Sequence, residues 1–353
     1  MQLKFRSLFL VSKTEVNNVL PAGKLDIKFL RKMLIKYKQT DDTVILGPQI
    51  GEDAAVIDMG KTALVVTTDP ITFVSDNVGY YSVVVNANDI ATTGANPRWF
   101  TATILLPEAM TTVNTVDSVF KQIHKACAML NISLIGGHTE ITYGLERPIV
   151  VGQMIGEVEK DKVVKTGGAK TGDYILLSKG IAIEGTSVIA REKEKYLLSH
   201  GMPKDLINRA KAFLFDPGIS ISEEARIAFQ TGYVNAMHDI TEGGLANGLH
   251  EMAIASGVKI EVDEKYIPIY EESRIFCSLF GIDPMGVIAS GALLISANPL
   301  GAHKILEEAH LKGIRIVKIG HVYSGGVPSV NKITSKGLRP VPFFERDEIL
   351  KVF

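Results

Sequence analysis

At 353 residues the chain exceeds the length at which one hydrophobic core normally keeps growing, so two domains of ordinary size are expected. Its 46% hydrophobic and 22% charged residues exclude a disordered chain, and 38 Lys and Arg against 39 Asp and Glu leave a net charge of −1. That balance gives no basic field for a nucleic-acid backbone, and no cluster of Lys and Arg interleaved with aromatics appears, so nucleic acid is not the expected partner.

The first twenty residues read as a nondescript leader: Lys4 and Arg6 precede an apolar run, Leu8 to Val11, that is too short for a signal-peptide core. Nowhere do 18 apolar residues run together, so no membrane span is expected. Only Cys127 and Cys277 are present, which excludes a disulfide framework and a Cys-x-x-Cys metal knuckle and fits a reducing, cytoplasmic setting.

Leu25 to Lys38 carries Leu25, Phe29, Leu30, Met33, Leu34 and Tyr37 at helical spacing, an amphipathic helix. Ala54 to Met59 and Thr62 to Thr68 read as strands of a hairpin turning at Gly60-Lys61, with Asp69-Pro70 as a stop. Val78 to Thr93 is Val-rich, but its length and the closing Gly94 favour a helix. A strand follows at Trp99 to Leu106, a helix at Thr111 to Leu130 with Cys127 on its apolar face, a short strand at Ile132 to Ile135, and an alternating strand at Pro148 to Val158. The loop-like heptad 166–172, Thr-Gly-Gly-Ala-Lys-Thr-Gly, marks the boundary between an N-terminal domain at 21–165 and a C-terminal domain at 172–335, with 336–353 as a tail. Beyond it, strands are expected at Tyr174 to Ser178, Val258 to Val262 and Ile314 to Ile319. Helices are expected at Ala190 to Ser199, Lys204 to Phe213, Ser220 to Gln230, Leu245 to Ser256 and Pro299 to Leu311. Strands and helices mix without regular alternation, which predicts α+β rather than a doubly wound sheet.

Neither G-x-x-x-x-G-K-[ST] nor G-x-G-x-x-G occurs, and G-x-S-x-G, H-E-x-x-H and EF-hand spacings are also missing, so P-loop, Rossmann, hydrolase and zinc chemistries have no starting point. What remains is a scattered set of Gly- and carboxylate-bearing segments: Gly51-Glu52-Asp53-Ala54-Ala55, Thr67-Thr68-Asp69, Asn88-Asp89-Ile90-Ala91 with Gly94, Gly136-Gly137-His138-Thr139-Glu140, and His238-Asp239-Ile240-Thr241-Glu242-Gly243-Gly244. Carboxylates at element ends beside glycine turns can converge on Mg²⁺, which wants hard oxygen ligands, and Mg²⁺ neutralises polyphosphate.

In the expected hairpin, Asp53 and Asp69 face one rim, although taken singly each reads more readily as a turn-former. Asn86 and Asp89 share a helix face in an apolar segment; solvent or a buried hydrogen bond also accounts for them. Gly136 and Gly137, read as a turn after the short strand, let backbone N–H groups approach a phosphate, with Thr139 adding a hydroxyl; His138 is a phosphate donor, a metal ligand or a structural hydrogen-bonder. Asp239 and Glu242 precede a helix whose N-terminus favours anions, while a plain N-cap accounts for Thr241 or Glu242 equally. A purely structural acidic cleft remains a third reading.

Taken in order, these segments, together with Ala95-Asn96-Pro97 after Gly94, resemble the aminoimidazole ribonucleotide synthetase (PurM-like) superfamily, from about Leu20 to about Ser296. That superfamily includes the purine enzyme, thiamine-monophosphate kinase, selenophosphate synthetase and the hydrogenase-maturation protein HypE. The resemblance implies a two-domain α+β PurM-like fold, its N-terminal domain joining a second subunit in a β-barrel, so that a homodimer is expected. It implies ATP and Mg²⁺ between the domains, with Asp53, Asp69, Asp89 and Asp239 toward the metal and Asn88, Gly136, Gly137, His138 and Thr139 toward the phosphates. His238 and Glu242 are catalytic candidates. Phosphoryl transfer of this kind rests on positioning and on cations.

The chain departs from its relatives. HypE proteins end in a carbamoyl-carrying Cys, whereas no Cys follows Cys277, so dehydration on its own tail is not expected. No Cys precedes Cys127 to match the reactive one of selenophosphate synthetases, and His138 stands where thiamine-monophosphate kinases have Asp and the purine enzyme Glu. His238 to Gly244 and Gly281-Ile282-Asp283-Pro284 lean toward the HypE-like branch. The expected activity is ATP-dependent phosphorylation or activation of a small-molecule or protein acceptor. The alternative is a non-catalytic, ATP-responsive maturation or scaffold protein.

Overall fold

The computed structural model describes residues 20, 23–39 and 41–353; of the leader expected at 1–20, only Leu20 falls within them. The first helix, α1 (Ile27–Lys36), is capped by Asp26, whose carboxylate accepts from Phe29 N–H at 2.9 Å. None of its residues is buried, so its apolar stripe is left largely to solvent and to the rim of the cleft.

A six-stranded sheet follows. β1 (Val44–Leu46), β2 (Ala55–Asp58) and β3 (Thr62–Ile71) pair in antiparallel fashion, and Asp58 closes the expected turn by accepting from Gly60 N–H at 2.8 Å. α2 (Val78–Thr92) is buried at every residue, which is how a Val-rich segment forms a helix: tertiary packing outweighs its propensity. β4 (Asn96–Pro107) and α3 (Val113–Leu130) come next, the helix opening on a reciprocal Thr112/Thr115 capping box and burying Cys127. β5 (Ser133–Thr142) and β6 (Ile149–Glu159) complete the sheet in the order β1-β2-β3-β6-β4-β5. All pairs are antiparallel except β4 with β5.

β5 corrects one expectation. The strand does not stop at Ile135 for a Gly-Gly turn; it runs through Gly136, Gly137, His138, Thr139 and Glu140, all paired in register with β4. Gly137 is needed there for space, since a Cβ would lie 2.2 Å from the Ala102 carbonyl oxygen. β5 is the sheet's edge and is exposed along nearly its whole length, leaving Leu134, Ile135 and Ile141 open to solvent.

The second sheet has the order β13-β12-β9-β11-β7-β10-β8 and is antiparallel except between β9 and β12. In chain order its half comprises β7 (Tyr174–Ser178), α4 (Ile183–Glu192), α5 (Glu194–Ser199), α6 (Lys204–Ala212), α7 (Ser222–Gln230), β8 (Val234–Asp239), α8 (Gly244–Ser256), β9 (Lys259–Asp263), α9 (Glu271–Phe280), β10 (Leu293–Ala297), α10 (Pro299–Leu311), β11 (Ile316–Tyr323), β12 (Ser329–Thr334) and β13 (Gly337–Pro340). The helix expected from Ala190 is two, broken at Lys193. Residues 336–353, read from sequence as a tail, supply β13 and then pack against α8: Asn247 holds the Phe344 backbone in both directions, at 2.9 Å each. Among the described residues no helix is long and apolar enough to cross a membrane.

The two halves are tied by polar contacts from the motif segments. Asn88, fully buried on α2, donates to Ile219 O at 2.8 Å and accepts from Ile221 N–H at 3.0 Å. Glu52 accepts from the amides of Thr166 and Gly167, each at 3.1 Å, fastening the boundary heptad. Gly51, at φ +84°, brings its backbone so close to α8 that a Cβ would stand 3.0 Å from the Glu251 carbonyl oxygen.

Candidate functional site: an acidic cleft between the two sheets

A cleft of about 630 Å³ runs between the halves, and Asp53, Asp69, Asp89, His238, Asp239 and Glu242 all line it. Asp53 leads into β2, Asp69 lies near the end of β3, Asp89 sits on α2 and Asp239 ends β8, so three strands and a helix from both halves deliver the carboxylates. Asp53, just before β2, and Asp69, near the end of β3, both line the cleft.

The Asn86/Asp89 face of α2 packs against β3. Asn86 accepts from Asp69 N–H at 2.9 Å, and Asp89 Oδ2 accepts from the Thr67 hydroxyl at 2.7 Å, that hydroxyl also lying 3.1 Å from Asp53 O. Gly152 on β6 makes room, since a Cβ there would meet Asn86 Nδ2 at 2.4 Å.

His238 is 4% exposed and wedged between two carboxylates: Nδ1 lies 2.9 Å from Asp53 Oδ1 and Nε2 lies 2.9 Å from Glu251 Oε2. Burial alone lowers an imidazole pKa, but Asp53 and Glu251 outweigh it and hold His238 well above the usual histidine range. Both ring nitrogens then donate, and the imidazolium fixes Asp53 rather than offering a lone pair to a metal or an acceptor.

Beside it, the opposite imbalance holds. Burial, then the Asp53 charge, pushes Asp239 well above the carboxylate range; burial followed by Asp69 and Asp239 does the same to Asp89. Burial raises Asp69 to about 6, with Glu242 and Asp53 adding to the rise and Lys24 opposing it. Asp239 is 2% exposed, and its Oδ2 has no hydrogen-bond partner among the described residues. Oxygens or nitrogens of Asp53, His238 and Asp239 come within 4.8 Å of one another. His238 and Lys24 oppose the rise at Asp239, but burial and the neighbouring carboxylates outweigh them, so this buried oxygen is left without the compensation that ordinarily makes such burial tolerable.

The other residues singled out from sequence lie elsewhere. Asn88 faces the Ile219–Ile221 backbone, which uses its amide fully, and Gly136, Gly137, His138 and Thr139 lie on exposed β5; none of the five lines the cleft. Glu242 lines the cleft, ion-paired with Lys24 at 2.7 Å. The α8 N-terminus, expected to favour anions, already holds one: Asp347 accepts from Gly243 N–H at 2.7 Å. Sequence reasoning passed over Lys24, Thr67, Glu251 and Asp347. Thr67 stood inside a quoted segment, but nothing in the spacing of the other three points to this cleft.

Two family models cover most of the chain: the AIR synthase related protein N-terminal domain matches residues 51–158 and the AIR synthase related protein C-terminal domain matches residues 170–332. The chain belongs to the AIR synthase related family. Within that family it is 26% identical over 308 residues to a carbamoyl dehydratase HypE of Rhizobium leguminosarum bv. viciae, covering 81% of each chain. It is 31% identical over 279 residues to a selenide, water dikinase of Treponema denticola, covering 77% of this chain and 72% of the relative. The crystal structure of the hydrogenase maturation protein HypE in complex with ATP superimposes with a TM-score of 0.70 at 23% identity, over 86% of this chain and 92% of that one, which shows the shared two-domain α+β fold.

Proposed function

We propose that this AIR synthase related protein binds ATP with Mg²⁺ in the acidic cleft and transfers phosphate to, or otherwise activates, a small-molecule or protein acceptor. The observation that carries the reading is Asp239 Oδ2, without a hydrogen-bond partner among the described residues and buried beside the cleft that Asp53, Asp69 and Asp89 of the first half also line. Hard oxygen donors of this kind suit Mg²⁺, with Asp53, Asp69, Asp89 and Asp239 as the residues that would hold it. When bound, the cation neutralises polyphosphate and the charge that spreads over a transferring phosphoryl group. His238 aims Asp53, and Thr67 orients Asp89. Support also comes from the relatives: one is named for a dikinase activity and another was solved with ATP.

In the same reading the chain is a homodimer joined through β5, whose unpaired edge and exposed Leu134, Ile135 and Ile141 want a second strand. Gly136 to Thr139 then belong to the subunit interface.

The test is calorimetric titration of Mg·ATP into the wild type and into Asp53→Asn, Asp69→Asn and Asp89→Asn. Each substitution is expected to weaken binding at least tenfold with the fold intact; unchanged affinity in all three overturns the assignment. Turnover stimulated by a metabolite pool would establish an enzyme, whereas tight binding without turnover, with a protein captured alongside, would establish the non-catalytic alternative.

A further inference from the structure

A second hollow, of about 400 Å³, opens off the cleft. The two share a wall that includes Lys24, Asp69, Thr241 and Glu242, so a molecule in the hollow would lie beside whatever the carboxylates hold. Most of its remaining lining is apolar, from Ile71, Phe73, Val74, Val85 and Ile288.

Into this apolar space α4 delivers Glu184, only 7% exposed. The helix starts from Ala182 at φ +59°, a left-handed conformation that a residue with a Cβ adopts only when its surroundings enforce it. Glu184 Oε2 accepts a long hydrogen bond, 3.3 Å, from Ser290 N–H. The neighbouring charges it feels, Glu242 and Asp347, are both negative. A buried carboxyl ordinarily faces a cation or several residues that donate; here one residue, Ser290, does that work through its amide and its side chain. Lys24, on the shared wall, is already paired with Glu242.

We propose that this chamber is the acceptor site and that the acceptor is a small, largely apolar molecule carrying a cationic or amide nitrogen, whose N–H groups Glu184 accepts. The assignment rests on the nucleotide reading of the adjoining cleft. The apolar walls take the body of the molecule, as ligand pockets with one or two placed polar groups generally do. An anionic head group is rejected at the Glu184 end, where it would meet Glu184, Glu242 and Asp347; Arg346, the other cation of the lining, stands with Lys24 on the wall shared with the cleft.

Benzamidine, benzamide and benzoate serve as probes, titrated by ligand-observed NMR against the full chain holding Mg²⁺ and a non-hydrolysable ATP analogue. Benzamidine and benzamide are expected to bind and benzoate is not; Glu184→Gln is expected to weaken benzamidine at least tenfold while analogue affinity stays within twofold. Should Glu184→Gln fail to fold, Thr72→Trp, at an exposed position on the chamber lining, supplies the second variant and is expected to expel both binding probes with the analogue retained. Benzoate binding as well as benzamidine, no binding by any probe, or benzamidine indifferent to both variants each overturns the proposal. If the wild type binds no analogue at all, the reading of the cleft falls instead, whatever the probes do in the chamber.

Discussion

Replacing Asp69 by Asn separates the cost of the acidic cluster from its use. Burial raises this carboxyl from 3.8 to about 6, so the folded state binds the proton more tightly than the unfolded chain does. For an acid shifted upward, the folded state is penalised once pH exceeds the unfolded value, and the penalty is complete above the folded one; the gap corresponds to about 3 kcal/mol at pH 7.5, of which roughly half is relieved by pH 5. In chelator, urea denaturation at pH 7.5 is expected to find Asp69→Asn more stable than wild type by about 1–3 kcal/mol, with the advantage shrinking as pH falls toward 4. With Mg·ATP at a hundredfold excess over the wild-type Kd the advantage shrinks: wild type gains about 2.7 kcal/mol and a variant that binds tenfold more weakly about 1.4 kcal/mol. The reasoning is refuted if the variant is no more stable than wild type in chelator at pH 7.5, or if it keeps the full gain from Mg·ATP.

His238→Ala leaves Asp53 and Glu251 facing each other without their shared cation and is expected to cost about 3–5 kcal/mol, read from urea midpoints. Gly244→Ala puts a Cβ 2.6 Å from both the Met285 and Val287 carbonyl oxygens at φ +61°; a loss of more than about 2 kcal/mol is expected, seen as a fall in Tm. Cys127 and Cys277 are buried, and burial pushes their thiols up to about 11 and about 12, so in native protein both are expected to resist thiol reagents, and Cys→Ala at either position to leave Mg·ATP binding unchanged by calorimetry.

Elements with a strong period or a marked end were legible in the sequence. The Gly60-Lys61 turn, α3 with its one-sided stripe and the acids of the hairpin all stand where local chemistry puts them. Asp53, Asp69, Asp89 and Asp239 stand out in the sequence as carboxylates at the ends of short motifs, and all four line the cleft. Legibility failed where a residue's meaning depends on its partner across the fold. Gly136-Gly137 looks like a turn until β4 is laid beside it, and Asn88, one residue from Asp89, points about a quarter turn away into a different set of contacts. Glu251 sits on α8 with no local signal, its role set by a histidine thirteen residues earlier.

The tripeptide 51–53 has a consequence for how the molecule can change. Its glycine lets α8 come close, its glutamate grips the 166–167 amides and its aspartate meets His238, so one short stretch carries both contact between the lobes and part of the proposed ion-binding surface. Under that proposal opening and release are a single thermodynamic event, and by reciprocity a cation that tightens the mouth is itself held harder by a closed mouth. A chain severed within the heptad would recover the ion only to the extent that its two fragments found each other again.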